Sequence, residues 1–277
     1  MDELQCCVTS CEKPLDKVYW DNQYQSNTIG WDLGEVSPPI KTYIDTLKDK
    51  TIRILIPGCG NTYEADYLLE QGFTNVTVID IAPTLVENLK TKFKDNHNIN
   101  IVLGDFFEHQ DEYDVILEQT FFCALPPTMR QKYVWKMHHL LANKGKIAGL
   151  LFNRTFESGP PFGGSQDEYN LLFQQAFNFL KMEVCQNSAT PRAGSELFIE
   201  LQKNNEVLVN LYPFEGITCS SCKNTVSEKF SALENVLSVS MNSNFSEVLI
   251  VSKNEVSLET LQKEIAYDTK YKIGNKL

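Results

Sequence analysis

The sequence predicts an α/β protein: a mostly parallel sheet covered by helices on both faces, followed by a smaller βαββαβ unit. Three observations carry this. Across residues 52–80 an apolar run, a Pro57-Gly58-Cys59-Gly60 break, a helical pattern and a second apolar run ending in Asp80 follow one another. Strand and helix patterns then alternate to about residue 202, the order expected of parallel strands joined by helical crossovers. Beyond Asn205 the order becomes strand, helix, two strands joined by Asn242-Ser243-Asn244, helix and short strand, a ferredoxin-like arrangement.

Taken in order, residues 1 to about 50 are aromatic-rich, with Trp20, Tyr24, Trp31 and Pro38-Pro39, and read as irregular until a helix at about 40–48. Strand 52–56, helix 63–70 and strand 76–79 follow. Pro83 suits a helix start, and Leu85, Leu89 and Phe93 give that helix its stripe to about residue 94. Strands are expected at 99–103 and 113–117. A helix at 128–142 carries Met129, Tyr133, Met137, Leu140 and Leu141 on one face, and Asn143-Lys144-Gly145 reads as its stop. A strand at 146–152, a Gly159-Pro160-Pro161-Phe162-Gly163-Gly164 loop, a helix at 166–179 and strands at 182–187 and 196–202 close the first unit. Val207, Val209 and Leu211 alternate as in a strand, Val226, Phe230 and Leu233 form one helical stripe, and Leu258, Leu261 and Ile265 another. The polar joint Lys203-Asn204-Asn205 divides the chain into domains 1–204 and 205–277. No glycine- or proline-rich linker separates them, so the two are expected to touch.

Composition narrows the function. A formal net charge of -11 without a basic run argues against nucleic acid as a partner, since phosphate neutralisation needs clustered Lys and Arg. No apolar stretch reaches the roughly 18–20 residues of a membrane span. The start, Met1-Asp2-Glu3-Leu4-Gln5-Cys6-Cys7, is acidic and lacks an apolar core, unlike a secretory signal. A cytoplasmic location is expected, and there the eight cysteines read as thiols or metal ligands rather than disulfides. Cys6, Cys7 and Cys11 form either an accessory thiol set or an incidental one. His97, His109, His138 and His139 have no metal-ligand spacing.

The glycine turn followed by Asp80 suits a ligand carrying a ribose. Glycines let the backbone approach the ligand, and an acid at the tip of the second strand accepts two sugar hydroxyls. Nucleotide, dinucleotide and S-adenosylmethionine sites share this layout. The third glycine of GxGxxG is replaced here by Tyr63, and no GxxxxGK[ST] phosphate loop is present.

The larger pattern selects among them. Leu55-Ile56-Pro57-Gly58-Cys59-Gly60, Val78-Ile79-Asp80-Ile81, Gly104-Asp105-Phe106-Phe107, Tyr113-Asp114-Val115-Ile116, Thr120-Phe121-Phe122-Cys123-Ala124-Leu125-Pro126-Pro127 with Arg130, and Gly159-Pro160-Pro161-Phe162 occur in sequence. This succession, over about residues 20–201, resembles the thiopurine S-methyltransferase family and its plant-like thiol and halide methyltransferases. The resemblance implies a seven-stranded, Rossmann-like S-adenosylmethionine-dependent methyltransferase fold. It implies that Pro57, Gly58, Cys59 and Gly60 pass under the methionine part of the cofactor. Asp80, with Ile81 beside it, would meet the ribose; Asp105, Phe106 and Phe107 would lie by the adenine, and Trp31 would cover the cofactor.

The acceptor is expected to be a small soft nucleophile: a thiol, bisulfide, halide, selenium or metalloid species. Phe121, Phe122 and Phe162 are candidate pocket walls, and Arg154 and Arg192 candidate anion contacts. No catalytic residue is assigned. Where the family often has Asp followed by Arg or Tyr after the fourth strand, this chain has Glu118-Gln119. That departure keeps open a second reading, a metal-binding or trafficking protein whose first domain binds S-adenosylmethionine without catalysis.

Gly216-Ile217-Thr218-Cys219-Ser220-Ser221-Cys222 is similar to the GMTCxxC loop of heavy-metal-associated domains, with Ile217 at the usual methionine. Two thiolates suit Cu(I) or another soft ion, so Cys219 and Cys222 are the candidate ligands. The resemblance implies roles near the metal for Tyr271 and Lys270, and a metal-donor or metal-acceptor protein as partner. A redox CxxC would need a thioredoxin-like order, zinc would need two further ligands, and a ligand-free docking module remains a further alternative.

Overall fold

The structure, a computed structural model, describes residues 14–277; Cys6, Cys7 and Cys11 lie outside the described residues. Strands β1 (Ile54–Pro57), β2 (Val76–Asp80), β3 (Ile99–Leu103), β4 (Tyr113–Gln119), β5 (Leu141–Phe152), β6 (Phe177–Val184) and β7 (Glu196–Lys203) form one seven-stranded sheet in the order β3-β2-β1-β4-β5-β7-β6. The first five run parallel, and β7 is antiparallel to both β5 and β6. Both β1 and β2 are buried along their whole length, which is why they read as unbroken apolar runs rather than as alternation. Because β2 pairs with one side of β1 and β4 with the other, the chain reverses direction across the sheet at β1. The crevice beyond the carboxyl ends of β1 and β4 is therefore the place where such sheets hold ligands.

Helices α1 (Lys17–Gln25), α2 (Pro38–Thr46), α3 (Tyr63–Glu70), α4 (Pro83–Lys92), α5 (Arg130–Leu140) and α6 (Gln166–Phe173) accompany this sheet. Three expectations need correction. The segment read as irregular contains α1, capped by Asp16, whose carboxylate accepts the Tyr19 N–H. Asn143-Lys144-Gly145 does not stop a helix. The α5 helix ends at Leu140, and Leu141 already pairs with Tyr113 in β5. The Asn-Lys-Gly stretch is an irregularity within that strand, with Lys144 at φ 62°. Finally, α6 ends at Phe173 and not near 179. Gln175 takes a left-handed φ of 66°, and edge strand β6 starts at Phe177. After the buried Phe177, an exposed, mixed stretch such as Asn178-Phe179-Leu180-Lys181 has no single period with which to choose between helix and strand.

The remaining chain folds as β8 (Leu208–Glu215), α7 (Ser220–Ser231), β9 (Val236–Met241), β10 (Glu247–Ser252), α8 (Leu258–Ile265) and β11 (Lys272–Ile273), with an antiparallel sheet ordered β11-β8-β10-β9. Its inner strands are buried on both faces. Tyr212, Phe214, Val248 and Ile250 join Val226, Phe230, Leu261 and Ile265 of α7 and α8 in one core. Val209, Leu211, Leu249 and Val251, on the opposite face, belong to a different core, shared with Tyr133, Val134, Met137 and Leu140 of α5. Thus α5 lies between two sheets, and most of its residues are buried. Two polar ties fasten the seam: Gln131 donates to Ser240 Oγ at 2.8 Å, and Asn242 donates to the Thr128 carbonyl at 3.1 Å.

Candidate active site and thiol loop

A cavity of about 960 Å3 opens beyond β1, β2 and β4. Its floor begins at the glycine turn. Gly58 and Gly60 take φ values of 54° and 52°, in the left-handed region that glycine enters without penalty. A Cβ on Gly58 would overlap the Phe121 ring, so the residue is glycine for room as well as for conformation. Asp80, at the end of β2, receives N–H groups from Ala82 at 3.0 Å and Gly60 at 3.3 Å. Burial nevertheless raises its carboxyl above the usual range, more than these donors lower it. Asp105 caps the turn that follows β3 by accepting the Phe107 N–H at 2.8 Å, and still faces the cavity with Phe106 and Phe107.

The opposite wall comes from the amino-terminal segment. Trp31 packs edge-on against Trp20 at 5.6 Å and Tyr24 at 6.1 Å. Burial raises the Tyr24 hydroxyl, and the charge of Asp80 adds to this. Asp32 accepts hydrogen bonds from the Asn61 side chain, just after the glycine turn, and from Tyr63 Oη. Arg192 is buried and donates from Nη2 to the Trp31 carbonyl at 2.7 Å, while its Nη1 stands 3.6 Å from Glu196. Arg154 is exposed, with its guanidinium 4.8 Å from the centre of the Phe156 ring.

Of the residues singled out from sequence, Trp31, Gly58, Asp80, Ile81, Asp105, Phe106, Phe107, Phe121, Arg154 and Arg192 line this one cavity. Pro57, Cys59, Gly60, Phe122 and Phe162 do not. Cys59 is buried beneath the turn, and desolvation pushes its thiol well up. Phe122 points into the core between Tyr133 and Tyr169. Phe162 sits behind the wall, its N–H donating to the Cys123 carbonyl at 2.6 Å. Sequence reading missed Tyr24, Asp32 and Met129, which also line the cavity. The aromatic density around Trp20, Tyr24 and Trp31 was the available signal for the first; nothing local marked the other two.

At the carboxyl end of β8 lies the second candidate. Cys219 is the N-cap of α7, and its Sγ accepts the Cys222 N–H at 3.4 Å. Hydrogen bonding from Cys222, then from Ser221, lowers the Cys219 thiol to about 7. Tyr271 faces Cys222, whose interaction with the phenol pushes it up to about 12. Gly216 lies against the Lys270 carbonyl, where a Cβ would clash, so the loop and the chain entering β11 are in close contact. Among the described residues no group of three or more His, Cys, Asp or Glu side chains converges, so the loop offers two thiols and no third ligand of that kind.

Comparison with known proteins gives two family matches. The model for Thiopurine S-methyltransferase (TPMT) matches residues 15–208, and that for the Heavy-metal-associated domain matches residues 214–272. Probable thiol methyltransferase 2 of Arabidopsis thaliana is 30% identical over 184 residues, covering 64% of this chain and 81% of the relative. Thiopurine S-methyltransferase of Acinetobacter baylyi is 27% identical over 186 residues, covering 58% and 84%. The crystal structure of Burkholderia thailandensis 1,6-didemethyltoxoflavin-N1-methyltransferase with bound 1,6-didemethyltoxoflavin and S-adenosylhomocysteine superposes with a TM-score of 0.56 at 18% identity, over 68% of this chain and 87% of that one. At that identity the likeness speaks to the fold.

Proposed function

The chain belongs to the thiopurine S-methyltransferase family and is an S-adenosylmethionine-dependent methyltransferase, and we propose that its acceptor is a small soft nucleophile: a thiol, bisulfide, a halide, or a selenium or metalloid species. Its relatives include transferases named for thiols and for thiocyanate, which does not favour a first domain that only binds the cofactor.

The residues present fit the cofactor. Positive-φ glycines at 58 and 60 leave the floor open to a close-lying chain, and Asp80 lines the cavity with a carboxyl destabilised by burial. Hydroxyl donors from a ribose would stabilise its charged form. In this reading Asp80 and Ile81 hold the ribose, Asp105, Phe106 and Phe107 the adenine, and Trp31 covers the ligand. The turn Pro57-Gly58-Cys59-Gly60 carries the methionine part. When bound, S-adenosylmethionine supplies an already activated methyl group, so the protein's task is alignment and exclusion of water, which supply several kcal/mol.

The acceptor side carries the reading. Phe121, Phe152, Phe156, Pro160 and Pro161 line it, with Arg154 and Arg192 as the cationic groups. No histidine is among the described residues lining the cavity. An aromatic pocket edged by two arginines suits an acceptor that arrives as an anion and so needs no base. Phe122 and Phe162 back this wall from behind.

For the C-terminal heavy-metal-associated domain we propose that Cys219 and Cys222 bind a soft ion such as Cu(I) in two-coordination, exchanging it with a donor or acceptor protein. Thiolate character at a helix start and exposure of Cys219 support this. We divide the chain at 204/205. A reducing, cytoplasmic compartment belongs to the same reading; among the described residues no helix is long and apolar enough to cross a membrane.

The test is to incubate the full chain with S-adenosylmethionine and a panel of thiols, bisulfide, iodide and selenite, and to measure methylated products. Turnover with at least one soft nucleophile is expected. Tight S-adenosylhomocysteine binding without any turnover would overturn the acceptor assignment.

A further inference from the structure

The Glu118-Gln119 pair, where this chain departs from its family's pattern, ties both walls of the cavity together. Glu118 is the penultimate residue of β4 and is 0% exposed. Among the described residues no cation pairs with it, yet both of its oxygens accept hydrogen bonds. Oε1 accepts the N–H groups of Phe121 at 2.8 Å and Phe122 at 2.9 Å; Oε2 accepts the Tyr133 hydroxyl at 2.6 Å. Gln119 Oε1 accepts the hydroxyl of Ser37, which caps α2 behind the amino-terminal wall, at 2.9 Å.

What Glu118 holds is the tight turn after β4. Thr120 stands at φ 60°, a conformation unfavourable for a β-branched residue. The next residue, Phe121, lies over Gly58 and packs edge-on against Phe106 at 5.0 Å. Phe122 starts a 3₁₀ turn, Phe122–Ala124, whose Cys123 carbonyl receives the Phe162 N–H. The carboxylate therefore anchors the glycine-turn side and the proline-loop side of the acceptor wall at once. Glutamate reaches both amides from position 118, and Tyr133 fixes it from α5.

We propose that Glu118 is a positioning residue for methyl transfer. Its carboxylate, with Tyr133, fixes the Phe121 ring against the glycine turn and so sets the line along which the acceptor reaches the methyl group. The inference rests on the methyltransferase reading above. Glu118 does not contact the reacting atoms; it acts through Phe121.

The test compares Glu118→Ala, Glu118→Gln and Tyr133→Phe in the full chain, with thiophenol and bisulfide as probes. Glu118→Ala is expected to lower kcat about 100-fold, the scale of a small misplacement, while the S-adenosylhomocysteine Kd from calorimetry stays within about threefold. Glu118→Gln keeps an oxygen for the two amides and an NH2 group toward Tyr133 Oη, so it should recover most of the lost kcat. Tyr133→Phe, which removes one bond and spares the fold if Glu118→Ala does not, should lower kcat several-fold at unchanged cofactor affinity. A wild-type kcat in Glu118→Ala or Tyr133→Phe, or a Glu118→Gln variant as slow as Glu118→Ala, would overturn the proposal. Should the wild type methylate neither probe, the anchoring is judged by amide exchange in the S-adenosylhomocysteine complex. Exchange at Phe121 and Phe122 about tenfold faster in Glu118→Ala upholds it, as expected when a buried acceptor is removed, and unchanged exchange overturns it.

Discussion

The cavity and the thiol loop are built by opposite means. The cavity draws on side chains from both termini of the first unit; Asp80, which lines it, and Glu118, buried behind its wall, are both held by backbone or tyrosine donors. The loop consists of two sulfurs at the start of one helix, one of them exposed. Enclosure fixes geometry and excludes water, as transfer chemistry requires; exposure lets an ion be handed on. The difference teaches that a methyl-transfer site must be prepared by the whole fold, whereas a carrier site needs only a local turn.

That contrast can be broken at its deepest point. Asp80→Ala removes the proposed acceptor of two ribose hydroxyls, each charge-assisted bond being worth about 1.5–3 kcal/mol. A fall of at least about 100-fold in S-adenosylhomocysteine affinity by calorimetry is expected, with Cu(I) affinity unchanged; a coupled loss of both would make the two regions one site. Next in size, Leu211→Ala empties part of the seam on α5 and should destabilise the chain by about 2–5 kcal/mol. Thermal unfolding followed at both domains should shift together, since one core spans the seam.

Cys222→Ser sharpens the comparison from the other side. Losing a direct ligand should weaken Cu(I) binding, in a chelator competition, by more than the roughly 10–100-fold cost of losing an outer-shell partner, while thiophenol methylation stays at the wild-type rate. The smallest effect concerns pH. Burial raises Glu118 from 4.5 to about 7, outweighing its three donors. The folded state thus holds a proton that the unfolded chain releases above 4.5, so this group's stabilisation is present at low pH and is lost as pH rises through about 7. Glu118→Gln has no such proton. Its melting temperature relative to wild type should climb between about pH 5 and 8; a difference flat across that window would contradict the assignment.

Much of the first sheet was legible because fully buried strands leave unbroken apolar runs; α3 and β2, for example, lie where the pattern puts them. Helix ends near edge strands were not, because an exposed strand such as β6 carries no buried stripe. For the cavity, glycine spacing and the acid after β2 were visible locally. Asp32 reaches the site only through tertiary folding, by way of Asn61 and Tyr63. Glu118 could be seen as a departure in sequence, but its role depends on where three donors converge, which no linear pattern records. Likewise the alternation Val207, Val209, Leu211 announced a buried face without saying that α5 would cover it.

That covering helix has a consequence for synthesis. Translation completes α5 and the strands that pack on one of its flanks before β8 and β10 have left the ribosome. Until they do, the nascent first unit carries a bare apolar flank of the kind that holds chaperones and invites aggregation. A part of the chain made later thus covers a face of a part made earlier.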